Sequence, residues 1–203
     1  MRRDRRWTIA AIAIVTVTAA VPAQRTQGIT ASIGLGYGSL STDLTDNAGE
    51  HFSGSQGAAV GSIALGWAFS DQWRVALQFD QVDEPNYLAS QIGGNTEAIA
   101  AFWTASVAYY PSSSANFWVR ANLGLGRIEL DRQEGNGSAG SFAAGLGIGY
   151  DWKFGKSTPF AAVPYVSYLT IFNTGNFGGA ISSFDLHGSA GLLEVGVALG
   201  FGN

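Results

Sequence analysis

Between Ser141 and Phe154 the chain reads SFAAGLGIGYDWKF, and the character of its side chains alternates at nearly every step. Phe142, Ala144, Leu146, Ile148, Tyr150, Trp152 and Phe154 share one parity, while Ala143, Gly145, Gly147, Gly149, Asp151 and Lys153 share the other. Successive side chains of a strand point to opposite faces, so a period of two specifies a ribbon with two unlike sides. One side is greasy and ends in aromatics; the other is small or polar.

The same ribbon recurs along the chain. ITASIGLGYGS sets Ile29, Ile33, Leu35 and Tyr37 against Thr30, Ser32, Gly34 and Gly36. AVGSIALGWAF, WRVALQFDQ, IAAFWTASVAYY and FWVRANLGLG repeat the pattern, TPFAAVPYVSYLTIF carries it weakly around Pro159 and Pro164, and LLEVGVALGF ends the chain on it. That makes eight expected strands. Short polar turns follow the second, fourth and sixth, at 70–72, 111–116 and 155–158. Segments rich in Asp, Asn, Gly and Ser follow the others, at about 40–57, 83–97, 131–140 and 173–186, and are read as long loops.

Composition then decides what surrounds the ribbon. Only 13% of residues are charged and 46% are hydrophobic, against about 25% charged in a typical soluble domain. A soluble eight-stranded barrel needs a polar exterior, and the greasy face offers none. Aromatics gather at strand ends, as they do at membrane interfaces. In hydrocarbon every backbone polar group needs an internal partner, so the sheet must close on itself. Parity places Arg74, Arg120 and Lys153 on the small or polar face, where a lipid-spanning strand requires them. The expected fold is all-β, an eight-stranded antiparallel up-and-down transmembrane barrel; a β-sandwich is the alternative.

The N-terminal stretch reads as a secretory signal peptide over residues 1–23, with the basic MRRDRRW, a short apolar run and Val21-Pro22-Ala23 before the cleavage point. The barrel then occupies 24–203. Cleavage removes four arginines and one aspartate, leaving seven basic and fourteen acidic residues, net −7. No basic stripe remains to neutralise phosphates, which argues against nucleic acid as a partner. Cysteine is absent, so backbone pairing and packing must hold the exported domain without disulfides.

Glu194, Gly196, Leu199 and Phe201 fit the spacing polar-x-Gly-x-x-apolar-x-aromatic. This resembles the C-terminal assembly signal of outer-membrane barrels, although Gly202 and Asn203 follow the aromatic. The chain over about 28–201 also resembles a family of small bacterial outer-membrane β-barrel proteins, on SIGLGYGSLS, YYPSSSANFWVRANLGLGR and GLGIGYDWKFGKSTPFAAVPYVSYL. The resemblance implies the barrel, the bacterial outer membrane with lipid and lipopolysaccharide around it, and the barrel-assembly machinery as a partner in biogenesis. It implies no common activity.

Candidate functional residues are few. Arg74, Asp80, Arg120, Asp151, Lys153 and Glu194 face inward by parity, three of each sign. A salt-bridged plug is the expected arrangement; a polar pore is the alternative. His187 and Ser189 resemble the His-x-Ser pair of outer-membrane lipid A deacylases, but Ala190 stands where that family has Asn, and Glu194 has the wrong parity to orient the histidine. Asp43, Asp46, Glu50 and His51 are oxygen- and nitrogen-bearing loop residues with no calcium-loop spacing, and two histidines in the whole chain argue against a zinc site. The expectation is a non-enzymatic, monomeric barrel without metal or cofactor, with a structural or surface-interaction role. A narrow channel or small-solute transporter, similar to the outer membrane protein W family, is the second reading.

Overall fold

The computed structural model describes residues 27–46, 49, 51–85, 87, 97–132, 135–155, 158–174 and 184–202. The expected signal peptide lies outside them. Among the described residues nine strands form: β1 Gly28–Asp46, β2 His51–Ala68, β3 Trp73–Pro85, β4 Glu97–Tyr109, β5 Phe117–Arg132, β6 Gly135–Tyr150, β7 Trp152–Lys153, β8 Phe160–Thr174 and β9 Phe184–Phe201. Neighbours pair antiparallel in chain order, and β1 pairs β9 from Ala31–Phe201 to Asp46–Leu186, which closes the barrel. A parallel two-pair bridge, Gly137–Phe184 and Ser138–Asp185, lies beyond the loop end of β8.

The two-residue β7 continues β6. Gly149 pairs Tyr165 and Trp152 pairs Ala162 in unbroken register, so β6 and β7 act as one of eight staves. The ladder lapses between them at Pro164. Pro164 has no N–H to donate, while the Asp151 N–H extends the β5–β6 register by bonding the Asn116 carbonyl at 2.8 Å. Pro164 itself sits outward on β8, paired with Val197.

A single hydrogen-bonded row fixes the barrel's shape. Gly28, Ala68, Arg74, Ala108, Arg120, Gly147, Ser167, Glu194 and Gly38 are successive partners around the wall. The row leaves β1 at Gly28 and returns to it at Gly38, a stagger of ten residues (38 − 28). Such a stagger over eight staves tilts the strands by about 40°. It also brings Arg74, Arg120 and Glu194, from three distant parts of the sequence, onto one row.

The outward face is apolar along only part of each strand. On β1 it runs Ile29, Ile33, Leu35, Tyr37 and then Ser39, Ser41 and Asp43; on β2 it runs Phe69, Trp67, Leu65, Ile63 and then Ser55, Ser53 and His51. The apolar stretch of β9 is Phe201 to Leu193. Eight residue steps on tilted strands give a belt about 20 Å tall, close to the roughly 25 Å apolar band of transmembrane barrels. Aromatics rim it at both ends. Trp67, Phe69, Trp73, Phe117, Tyr150, Phe154, Phe160 and Phe201 lie at the turn end, and Tyr37, Trp103, Phe142 and Tyr168 toward the loop end. Trp73 packs at a tilt against Tyr109, centroids 4.6 Å apart, and Phe160 likewise against Phe201 at 5.5 Å.

Beyond the belt the strands continue, which corrects the expected loops. The segment 40–57 is mostly strand, since β1 reaches Asp46 and β2 starts at His51. The segment 131–140 contracts to a connection at 133–134 between paired Arg132 and Gly135. Polar residues here are not turn formers but the outward parity of strands that have left the apolar zone. Their inward parity becomes apolar at the same level: Leu40, Leu44, Val60, Val82, Ala98, Ala100, Phe102, Ile128, Leu169, Ile171 and Leu192 form one buried cluster. The barrel is inside-out in the belt and conventionally packed above it.

Candidate functional site: the lumen

Three layers fill the interior. At the turn end, Asp151 is 1% exposed and its carboxylate accepts hydrogen bonds from the Tyr110 hydroxyl (2.9 Å) and the Trp118 indole Nε1–H (3.0 Å). Arg74 completes the set with an ion pair to Asp151 at 3.4 Å, its guanidinium lying 4.8 Å from the Tyr110 ring centroid. Lys153, also buried, sits one inward step beyond Asp151. A buried carboxylate held by neutral donors and a cation is well compensated, and removing a partner exposes the cost of its desolvation.

The middle layer is polar but carries less ion pairing than expected. Glu194 is fully buried and accepts from the Tyr165 hydroxyl and from Ser167 (3.2 Å); Tyr165 is also bonded to Ser62 at 3.2 Å. Both oxygens of Asp80 accept from the Gln78 amide, at 2.7 and 2.9 Å. Arg120 meets no carboxylate within 4.0 Å among the described residues. It lies over the Trp118 ring, 5.1 Å from the centroid, and its Nε and Nη2 are buried without a hydrogen-bond partner. Asp80 and Glu194 are instead satisfied by neutral donors, an arrangement that parity could not distinguish from salt bridging.

Arg74, Arg120, Gln78, Ser62, Ser106 and Tyr165 line a chamber of about 100 Å³. Sites for drug-sized molecules run to about 300–1,000 Å³, so this chamber suits only water or a small ion. The third layer, the apolar cluster above the belt, packs over it. Tyr87, from the connection after β3, is fully buried there, and its hydroxyl is bonded to Thr42 at 2.9 Å.

The inner glycines now have a reason. A Cβ on Gly196 would lie 2.7 Å from the Tyr165 ring, and one on Gly149 would strike the Trp118 indole. Each glycine is the cross-strand partner of the aromatic that covers it. They make room for rings that block the bore, rather than leaving space. Tyr110, Trp118, Tyr165, Gln78 and Tyr87 were missed in the sequence. The available signal was a large aromatic on the otherwise small inward parity, as at Trp118 opposite Phe117 and Val119.

The remaining candidate residues lie elsewhere. Glu194 and Gly196 face inward on β9, while Leu199 and Phe201 are exposed on the belt. His187 and Ser189 belong to β9, not to a loop, and face outward, on the opposite side of the wall from Glu194. His51 opens β2, with Nε2 3.5 Å from the Asp43 carboxylate. Asp46 ends β1, and Glu50 lies outside the described residues.

Neisserial surface protein A superposes on this chain with a TM-score of 0.52 at 14% identity, over 84% of this chain and 97% of that one. Ail, the attachment invasion locus protein of Yersinia pestis, solved with the heparin analogue sucrose octasulfate, gives 0.50 at 15%, over 86% and 99%. The fold is that of the eight-stranded outer-membrane barrels. No protein-family model matches the sequence, and no curated protein is significantly similar to it. At these identities the likeness is one of architecture, with wall and closure shared while the side chains differ.

Proposed function

We propose that this is a non-enzymatic, monomeric barrel of the bacterial outer membrane. Its lumen is closed, and its protruding half is the functional surface. The supporting observation is the interior: packed layers lie above and below a chamber of only about 100 Å³, which is narrow for a solute path. The short turns and both strand termini then face the periplasm, and the tall hairpins face outward. Lipid and lipopolysaccharide surround the belt. Glu194, Gly196, Leu199 and Phe201 serve as the address for the barrel-assembly machinery. An outward-standing, polar-walled barrel top is a suitable platform for surface binding.

The test is electrical. Purified, heat-modifiable protein in a planar bilayer is expected to show no single-channel conductance, and liposomes carrying it no solute uptake. Steady conductance from folded protein would replace this reading with the narrow-channel one.

A further inference from the structure

The chain has two histidines, 136 positions apart (187 − 51), and the barrel sets them in one row. Thr45 of β1 is paired on one side with His51 of β2 and on the other with His187 of β9. All three face outward, above the Tyr37 rim of the belt. Asp43 lies one outward step below Thr45 on the same strand. We propose that Asp43, His51 and His187 form a surface site for a divalent transition-metal ion of the zinc class.

Two imidazoles and a carboxylate are a donor set that such ions favour over calcium or magnesium. His51 Nε2 and Asp43 Oδ1 stand 3.5 Å apart. Two ligands held about 2.0–2.1 Å from one tetrahedral ion are separated by nearly that distance. Thr45 Oγ1 lies 3.5 Å from His51 Nδ1. An Nδ1–H donated to it leaves the Nε2 lone pair toward Asp43, as a metal-binding imidazole requires. His51 and Asp43 are well exposed, their side chains 58% and 70% accessible, so an ion has free entry.

His187 closes the set from β9. Two strand spacings separate its backbone from that of His51, about 10 Å, and two imidazoles reaching inward over the short Thr45 side chain can span that. Among the described residues no three such side chains already converge, so His187 must turn about its own side-chain bonds as the ion binds. Gly188 favours the approach. Its φ is 143°, and a Cβ there would collide with the Asp43 carbonyl, so glycine lets β9 lie close against β1 directly beside the site.

Tag-free, refolded barrel titrated calorimetrically with Zn²⁺ alone is expected to bind one equivalent. His51→Ala and His187→Ala should each weaken binding by about tenfold or more, a loss on the scale of about 1.4 kcal/mol per decade. Asp83→Asn, an outward acid on β3, should leave it unchanged. With two histidines in the chain, imidazole resonances of the wild-type protein give a reading independent of any variant, and both sets should shift together on Zn²⁺ addition. Absence of saturable binding, an unshifted His187 resonance, an affinity indifferent to His187→Ala, or equal weakening by Asp83→Asn would each overturn the site.

Discussion

The two halves of this barrel are built on opposite rules from one strand pattern. In the belt, Leu35 and Leu146 face out and Arg120, Asp80 and Glu194 face in. Above it, Ser41, Asp43 and Ser53 face out and Leu40, Leu44 and Leu192 face in. The chain never changes its pleat; only the solvent around it changes, and the side chains change parity to match. Leu192 and Leu193 show the switch within one dipeptide. The first is fully buried in the upper core and the second half exposed at the edge of the belt.

That contrast predicts unequal responses to equal substitutions. The largest loss should come from Arg74→Ala, which takes from the buried Asp151, beneath Tyr110 and Trp118, its ion pair to Arg74. Breaking a buried pair costs about 3–5 kcal/mol, measurable by urea unfolding in lipid vesicles. If the loss is under ~1 kcal/mol, the turn-end plug is not an ionic one. Next, Leu192→Ala should cost about 2–5 kcal/mol, as a core truncation does, and the same change at Leu193 much less. Equal losses would mean that the upper cluster is not a packed core. An arginine scan along the outward parity sharpens the boundary. Leu146→Arg, in the lipid belt, should cost about 2–4 kcal/mol, whereas Ser41→Arg should stay within about 0.5 kcal/mol.

The smallest effect concerns pH. Glu84 faces inward above the belt, where it is buried and accepts from Gln56 at 2.6 Å. Burial, first, and the neighbouring Asp83 charge raise its pKa above the ordinary carboxylate value, while the Gln56 hydrogen bond opposes them. A raised carboxyl pKa means the folded state holds the proton more tightly, so stability falls as pH climbs from the ordinary value through the raised one. Glu84→Gln should therefore stabilise the barrel at neutral pH and give progressively less advantage toward pH 4. Unfolding midpoints at the two pH values check the sign.

Much of this was readable in the chain itself. The period-two segments located every stave, and the parity of Arg74, Arg120 and Lys153 put them inside. The greasy ending LLEVGVALGF was correctly a strand, one that pairs with β1 and closes the wall. What failed was the reading of Ser-, Asp- and Gly-rich stretches as loops at 40–57 and 131–140. Polar outward residues look alike whether they cap a turn or clad a strand in water, and sequence reports polarity without reporting the medium.

The local alternation of side chains, then, determined the strands, their count and the side of the wall each residue occupies, because a pleat has only two faces. The ten-residue stagger, the capture of Asp151 by Tyr110, Trp118 and Arg74, the lack of an ion pair at Arg120 among the described residues and the placing of His51 and His187 on one row were decided in three dimensions. Each depends on which residues of distant strands share a row, and that is fixed only when β1 meets β9 and the sheet can slide no further.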